Sequence, residues 1–412
     1  MTALITCGHT RAGLAATRAL GRAGIAVAVA APVRPALAMW SRYATSTLLV
    51  PDAGGEAQRF AEAVGDEAAG RHCDLVLPAT DDALWALSRW RELLPASALR
   101  ALPSHDAVTR VLDRTALYDR ARALGISTID ALRIDVPDAV EPALLRIDAE
   151  GALPLLVRPL VPWVEREDGT RRVAETIPVE SIAELRRLLY AREDLVTGGC
   201  LLEPRPPGRW FGYGAVCDAG RVLGEVFQER LRERGDLSGV SSLARTLPPD
   251  ERVRALAVAV LESLGWQGPV LVEMHQDPAG TLRLHNVIGR IWGSMQLAIN
   301  AGLNVPVLCD GLVHGRLPEL VHVAEPDHLW RWIVGDLEVM GRRALRLVGR
   351  VDGAGELKAR VRAFAEMFRV GELLDAEPDV WDAGDPLPFV LEVEHRIEET
   401  RRQRRARALL TS

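Results

Sequence analysis

Lysine is nearly absent from this sequence of 412 residues. Lys358 is the only one, so arginine carries almost all of the positive charge. A lysine-based anion site is therefore excluded over nearly the whole chain. The two side chains differ in chemistry, because the planar guanidinium holds two oxygen atoms at once. Under a bias of this strength, an arginine where a relative carries lysine is weak evidence for a changed function.

Features of several other protein classes are also missing. No apolar stretch reaches the roughly 18–20 residues that a membrane span requires. The net charge is −6, and basic residues cluster only at residues 401–405, interpreted as a solvated helix end. We therefore expect neither nucleic acid nor a membrane as a partner. The N-terminus lacks a basic leader before an apolar segment, so we expect no signal peptide.

Cysteine usage and composition indicate the class of protein. The five cysteines include no CxxC pair, and we interpret them as buried thiols in a reducing cytoplasm. Hydrophobic residues make up 48% of the chain and charged residues 26%, which is typical of a globular protein. A chain of 412 residues exceeds one ordinary core, so two or three packed units are expected.

The first hundred residues alternate apolar runs with amphipathic segments. The apolar runs that predict strands lie at residues 3–7, 25–30, 47–50, 74–77 and 99–102. With helical spacing at 11–23, this pattern predicts a doubly wound parallel sheet. Gly8 and Gly13 suggest a nicotinamide site, but the GxGxxG spacing is absent. We interpret the two glycines as easing a strand-to-helix turn.

The rest of the chain predicts further strands and then helices. Strands are expected at 155–157 and 200–203, and hairpins at 212–229 and 268–290. Beyond residue 322 the spacing is helical, at 328–348 and 355–368, and an extended piece at 388–392 precedes a charged terminal helix.

The segment 268–306 carries the clearest functional pattern. It predicts two short strands joined by a turn and followed by a helix. Glu273 lies on the first strand, whereas Asn286 and Arg290 lie on the second. A carboxylate, an amide and a guanidinium brought together at a helix N-terminus suit a metal–phosphate site.

Alternation of side chains along the second strand predicts which residues face this site. Asn286, Ile288 and Arg290 share one face, so His285 is expected to point away. Ile288 supplies no oxygen ligand and Asn286 supplies no charge. The strand therefore offers a magnesium ion less than a carboxylate would.

Several local motifs resemble one known superfamily in their order and spacing. They are Leu112-Asp113-Arg114 with Gly125-Ile126, Leu155-Leu156-Val157-Arg158-Pro159, Leu201-Leu202-Glu203, and Trp292-Gly293-Ser294 leading to Gly302. With the hairpin, they resemble the ATP-grasp superfamily, and most closely the carbamoyl-phosphate synthase large chain and related carboxylate–amine ligases. The family's usual Glu-x-Asn-x-Arg run is here Asn286-Val287-Ile288-Gly289-Arg290, a degenerate metal motif.

The resemblance implies an α/β fold in three parts. These are a Rossmann-like pre-ATP-grasp domain at 1–104, an ATP-grasp domain at 105–322 and a mainly helical C-terminal extension at 323–412. Within the second part, it implies a small lid subdomain at about 128–200 and a metal hairpin at 268–290.

The resemblance also implies ATP and Mg²⁺ as bound groups. The residues implied to contact them are Arg114, Arg158 and Glu203 for the nucleotide, Glu273 and Asn286 for the metal ion, and Arg290 and Arg230 for a developing acyl phosphate. Glu229 departs from the pattern, because related ligases carry arginine there. The expected lid loop, 160–173, departs as well, since it has a single glycine, Gly169.

Two hypotheses follow for the function. The first is a ligase that uses ATP to activate a small-molecule carboxylate as an acyl phosphate and joins it to an amine. The second is a non-catalytic ATP-grasp protein that binds a nucleotide or a partner without phosphoryl transfer. A dehydrogenase on the N-terminal unit is a third alternative, based on the weak glycine pattern. A homodimer is the default expectation for the assembly.

Overall fold

The first hundred residues form the parallel sheet that the sequence predicts. The computed structural model describes residues 2–160, 163–165, 171–173, 176–234, 239–347 and 375–410. The strands of the first sheet are β1 (Thr2–Ile5), β2 (Ala26–Ala31), β3 (Ser46–Leu49) and β4 (Cys73–Leu77), in the order β3-β2-β1-β4. Its helices are α1 (Arg11–Arg22), α2 (Ala57–Gly70) and α3 (Asp81–Arg89). The central strands are buried on both faces, which is why their sequences are continuously apolar.

The prediction of a strand at 99–102 was wrong. Residues Ala98–Ala101 form a short 3-10 helix that packs against the start of a later strand at Gly268. Gly268 has a φ of +81°, and a Cβ there would lie 2.1 Å from the carbonyl oxygen of Ala101. The segment is apolar because this close packing buries it.

Two helices lead into a small antiparallel sheet. These are α4 (His105–Leu112) and α5 (Arg114–Ala123), and Asp113 between them caps α5. The sheet consists of β5 (Leu132–Ile134), β6 (Leu155–Pro159), β9 (Ile177–Val179) and β10 (Cys200–Pro204), in the order β5-β10-β6-β9. The remaining elements of this part are α6 (Val140–Glu150), β7 (Trp163–Glu165), β8 (Arg171–Val173), α7 (Ile182–Ala191) and α8 (Glu193–Thr197). The small sheet and its helices share a hydrophobic core of their own.

A large sheet of eight strands, within the described residues, makes up the centre of the molecule. Its strands are β11 (Arg209–Asp218), β12 (Arg221–Glu233), β13 (Ser241–Leu247), β14 (Gly268–Gln276), β15 (Leu282–Ile288), β16 (His322–Val323), β17 (Leu329–Arg331) and β18 (Glu377–Pro378). The order is β15-β14-β11-β12-β13-β17-β18, and β16 pairs with β12. The helices of this part are α9 (Glu251–Ser263), α10 (Met295–Asn300) and α11 (Val305–Val313). Both predicted hairpins are present, with turns between β11 and β12 and between β14 and β15.

The C-terminal part differs from its expected helical pattern in two places. Residues 322–331 contain β16 and β17, so the helix expected at 328–348 begins later, as α12 (Ile333–Leu347). The extended piece expected at 388–392 lies inside the terminal helix α13 (Leu387–Leu410). Pro388 lies in the first helical turn, where proline does not break a helix. The helix expected at 355–368 lies outside the described residues. Within the described ranges, no helix is long and apolar enough to span a membrane.

Buried arginines of α1 hold the segment before α13 against the first sheet. Arg18 is 2% exposed, and it donates hydrogen bonds to the Asp385 carboxylate at 2.9 Å and to the carbonyl oxygens of Val380 and Asp385. Arg11, about two turns earlier on the same face of α1, forms an ion pair with Asp379. The beginning and the end of the chain are therefore joined through charged groups removed from water.

Replacing Arg18 by alanine should destabilise the protein strongly, because the buried Asp385 carboxylate would lose its charged partner and keep only the hydrogen bonds from Ser41 and the Arg42 backbone. Removing one member of a buried ion pair costs about 3–5 kcal/mol. Arg22→Ala is the matched control, since its ion pair with Asp382 is at the surface and such pairs contribute about 0–1 kcal/mol. Chemical denaturation of both variants measures the difference, and equal losses would contradict this account of the contact.

Candidate functional site

The hairpin β14–β15 contains a β-bulge that side-chain alternation did not predict. Glu273 pairs with Asn286, but the next residue, Met274, pairs with Leu284, so His285 is an extra residue in β15. A bulge interrupts alternation and re-aims the side chain. The Nε2 atom of His285 lies 2.7 Å from Glu203 Oε1, and its Nδ1 atom lies 3.9 Å from Glu273 Oε2. The prediction that His285 points away from the site was wrong.

Glu203 joins the small sheet to this hairpin. It lies on β10, is fully buried, and its Oε2 atom is 3.3 Å from Arg158 Nε on the neighbouring strand β6. Burial alone would raise the pKa of Glu203, but the neighbouring imidazole of His285 and the guanidinium of Arg158 outweigh burial and hold that pKa well below its usual range. Glu203 is therefore an ionised carboxylate at neutral pH.

Two arginines lie side by side at this junction. Arg114 donates a hydrogen bond from Nη1 to the carbonyl oxygen of His285 at 2.7 Å, and Tyr118 donates to the same oxygen at 3.1 Å. Burial, and then the nearby charge of Arg158, lowers the pKa of Arg114. Arg158 Nε and Glu203 Oε2 are both buried and lie 3.3 Å apart as an ion pair, without the geometry of a hydrogen bond. The junction thus brings two guanidinium groups beside the carboxylate of Glu203.

Glu273 is the carboxylate at the centre of the hairpin. It forms an ion pair with Arg230 and accepts a hydrogen bond from Asn286 Nδ2 at 3.0 Å. Burial would raise its pKa, but the charge of Arg230 and then the neighbouring His285 lower the pKa of Glu273 to about 2. In the described part of the chain, no three His, Cys, Asp or Glu side chains converge as a metal cluster.

Arg230 reaches Glu273 from β12, where a second bulge changes the register. Arg230 pairs with Ala244 and Arg232 pairs with Leu243, so Leu231 is the extra residue. Arg230 and Glu233 consequently meet, with 3.0 Å between Arg230 Nη1 and Glu233 Oε1. Sequence reasoning missed Glu233, because an unbulged strand would place residues 230 and 233 on opposite faces.

Glu229, which departs from the family pattern, lies on the other face of β12. Its carboxylate accepts hydrogen bonds from Arg209 at 2.6 Å and Arg245 at 2.8 Å. It is therefore not a group that opposes Arg230 in the site. The departure from the family pattern at Glu229 therefore lies outside the group of side chains around Glu273.

Arg290 lies beyond the end of β15. Its Nε atom donates to Asp81 Oδ1, in the first turn of α3, at 2.8 Å, and its Nη1 atom donates to the carbonyl oxygen of Ile291. Arg290 therefore connects the hairpin to the first sheet. The prediction that Arg290 lies on the second strand was wrong, because β15 ends at Ile288.

A cavity of about 500 Å³ lies where the first sheet, the large sheet and the C-terminal part meet. Three predicted site residues line it, Arg230, Glu273 and Arg290. Ile288 and Ser294, which lie near them in the sequence, line it as well. The loop after β1 and the loop after β4 contribute Thr10 and Thr80, so the cavity lies at the carboxyl ends of parallel strands. Arg114, Arg158 and Glu203 lie outside its lining, on the small-sheet side of Glu273.

Structural comparison identifies the fold, although no family model and no curated protein matches the sequence. N5-carboxyaminoimidazole synthetase from Staphylococcus aureus is 14% identical, with a TM-score of 0.58 and 80% of each chain covered. L-amino acid ligase from Bacillus licheniformis is 16% identical, with a TM-score of 0.55 over 77% of this chain and 75% of that one.

A third similar structure is the biotin carboxylase domain dimer of 2-oxoglutarate carboxylase from Hydrogenobacter thermophilus, in complex with MgADP, ADP and bicarbonate. It is 15% identical, with a TM-score of 0.57 over 79% of this chain and 73% of that one. The chain has the ATP-grasp fold, which confirms the fold expected from its motifs.

Replacing Glu203 by glutamine should destabilise the protein by about 3 kcal/mol at pH 7, because Arg158 and His285 lose a buried charge partner. The folded-state pKa of Glu203 is depressed below the unfolded value of about 4.3. Its stabilisation is therefore fully present above that value and is lost as the pH falls below it. Denaturation at pH 7, 5, 4 and 3 should show that the difference in unfolding free energy between the variant and the wild type narrows as the pH falls below about 4.3.

The control for this comparison is Glu193→Gln, an exposed carboxylate near the same sheet. It should leave the stability nearly unchanged at each pH. A gap between wild type and Glu203→Gln that stays constant down to pH 4 and below would contradict the assignment of an ionised, paired Glu203.

Proposed function

We propose that this protein is an ATP-dependent ligase that activates a carboxylate as an acyl phosphate and joins it to an amine. The observation that carries the proposal is the arrangement of charges on the two sides of Glu273. Arg114, Arg158 and Glu203 lie on the small-sheet side, and Arg230 and Arg290 line the cavity on the other side. A nucleotide and a carboxylate substrate would meet between them.

Arg114, Arg158 and Glu203 are proposed to bind the nucleotide. The two guanidinium groups lie close enough for Arg158 to lower the pKa of Arg114, and Glu203 offsets only part of their charge. Anionic phosphate oxygens would offset the remaining positive charge of these two groups. Arginine at both places fits a chain that has almost no lysine, since it retains the positive charge.

The residues present also fit a magnesium ion. Glu273 is ionised at neutral pH and Asn286 adds an amide group beside it. Magnesium in nucleotide sites is often held by one or two carboxylates while substrate phosphates and water complete its shell. When bound, the ion would neutralise charge on the phosphates. Arg230 would have to release one oxygen of Glu273 for the ion to bind there.

Arg230 and Arg290 are proposed to stabilise the acyl phosphate. In the reaction, a substrate carboxylate oxygen forms a bond to the γ-phosphorus of ATP and ADP leaves. The amine nitrogen then forms a bond to the acyl carbon, phosphate leaves, and the nitrogen loses a proton. Negative charge collects on oxygen atoms in both steps, where two fixed guanidinium groups lower its energy.

The alternative is an ATP-grasp protein that binds a nucleotide or a partner without transferring phosphate. One observation favours it: both oxygens of Glu273 are occupied, by Arg230 and Asn286. Ile288, which lines the cavity, supplies no further ligand. Substrate turnover separates the two proposals, because only the ligase consumes ATP.

The test is ADP release from Mg-ATP in the presence of a panel of small carboxylates, each with hydroxylamine as a general nucleophile. Hydroxylamine converts an acyl phosphate to a hydroxamate, which is detected without knowing the natural amine. We expect ADP and hydroxamate from at least one carboxylate. Glu273→Gln should lower the rate by about 100-fold or more, because the site loses its central charge.

Glu262→Gln is the matched control, since this exposed glutamate on α9 undergoes the same change away from the site. It should retain the wild-type rate. Absence of ADP and hydroxamate across the whole panel, with ATP still bound, would favour the non-catalytic alternative. Equal rates for Glu273→Gln and the wild type would contradict the role given to Glu273.

A further inference from the structure

The bulge in β15 gives the hairpin a nitrogen donor beside its central carboxylate. His285 is 3% exposed, and its Nδ1 atom is buried without a hydrogen-bond partner among the described residues. That nitrogen lies 3.9 Å from Glu273 Oε2 on the neighbouring strand β14. A buried polar atom without a partner is costly, so its position next to an ionised carboxylate indicates a ligand shared by the two.

Glu203 determines which ring nitrogen of His285 carries the proton. An ionised carboxylate only accepts hydrogen bonds, and Glu203 Oε1 lies 2.7 Å from His285 Nε2, so Nε2 is the donor. Burial lowers the pKa of His285, which leaves the ring neutral at pH 7 and the lone pair on Nδ1. A histidine that donates one ring N–H to a carboxylate and keeps the other nitrogen bare is typical of a metal ligand.

The ring is fixed in this orientation from several sides. Arg114 and Tyr118 donate to the backbone carbonyl oxygen of His285 at 2.7 and 3.1 Å, which holds the bulge in place. The ring of Trp210 packs edge-to-face against the imidazole, with 5.0 Å between the ring centroids. Together with Glu203, these contacts keep Nδ1 turned toward Glu273.

The separation of Nδ1 and Oε2 suits a single ion between them. A zinc ion lies about 2.0–2.2 Å from imidazole nitrogen and carboxylate oxygen, so one ion reaches two such donors up to about 4.2 Å apart. No non-bonded heavy atom fits between two atoms 3.9 Å apart, because its contacts would be far too short. The ion therefore requires a route but no cavity of its own, and Glu273 lines the large cavity.

The surrounding charges favour a transition-metal ion over magnesium. Arg230 pairs with Glu273 and Arg158 with Glu203, so a hard cation gains little from the net charge. The coordinate bond from a neutral imidazole does not depend on that charge, and imidazole is a ligand for zinc and its neighbours in the transition series. In the described residues no third His, Cys, Asp or Glu joins these two donors, so water or phosphate oxygens must complete the shell.

We propose that His285 Nδ1 and Glu273 Oε2 together bind a divalent transition-metal ion of the zinc and cobalt class. Glu203 is the positioning residue, because it holds the ring through Nε2. Asn286 donates to Glu273 Oε2 at 3.0 Å, and a half-turn of its amide would present an oxygen to the ion instead. The use of this ion in a reaction rests on the proposed ligase function, whereas the site rests on the two facing atoms.

The experiment is calorimetric titration of the full chain with CoCl₂ and with MgCl₂, without nucleotide. In the wild type, one Co²⁺ per chain should bind about tenfold or more tightly than Mg²⁺, because only cobalt gains from the nitrogen donor. The visible absorption of Co²⁺ should shift as this equivalent binds. Equal affinities for the two ions in the wild type would overturn the site whether or not any variant folds.

Two variants assign the bound cobalt to this pair. His285→Gln keeps an N–H donor for Glu203 but lacks the imidazole nitrogen, so it should weaken Co²⁺ binding by about tenfold or more and leave Mg²⁺ binding unchanged. Glu273→Gln should weaken the binding of both ions. His395→Gln is the matched control, because this exposed histidine on α13 is away from the hairpin, and it should bind both ions as the wild type does. Retention of the cobalt preference in His285→Gln would overturn the site.

These results are separable from those on the proposed function, because the titration involves neither nucleotide nor turnover. A cobalt preference that is lost in His285→Gln supports the metal site even where no ADP is released. Conversely, hydroxamate formation from Mg-ATP with no preference for Co²⁺ would overturn the metal site and leave the ligase function intact.

Discussion

Ionised groups are buried at the junction of the two antiparallel sheets because each of them lies against an opposite charge or a hydrogen-bond donor. The resulting chain of contacts runs through Arg158, Glu203, His285, Glu273, Arg230, Glu233 and Arg205. It begins on the small sheet, crosses the hairpin and β12 of the large sheet, and returns to Arg205, the residue after β10. Any member left alone would face a desolvation penalty of several kcal/mol. The position of the small sheet over the hairpin is therefore tied to the charges of the site.

The C-terminal part depends on the same kind of contact. Its aspartates are held by arginines of α1, and its strands β17 and β18 extend the large sheet. These two attachments bring α13, and with it Glu392, to the cavity formed by the loops after β1 and β4. The extension is thus a wall of the candidate site.

Much of this fold follows from the sequence, because apolar runs and motif order predict the parallel sheet, both hairpins and the ATP-grasp architecture. The orientations of the side chains in the site could be predicted less well from the sequence. Local alternation assumes regular strands, and the bulges at Leu231 and His285 break it at the residues that matter. Glu392 was missed for a different reason: residues 388–392 were expected to be extended, although Pro388 is compatible with the first turn of a helix.

The central claim is that the charged junction around Glu203 and Glu273 binds Mg-ATP. The most direct measurement is calorimetric titration of ATP into the full chain with and without Mg²⁺, for the wild type, Arg158→Met and the control Arg186→Met, an exposed arginine on α7. We predict binding that strengthens with Mg²⁺ and weakens about tenfold or more in Arg158→Met alone, since a charged hydrogen bond to phosphate is lost. Absence of ATP binding in the wild type under both conditions would contradict the account.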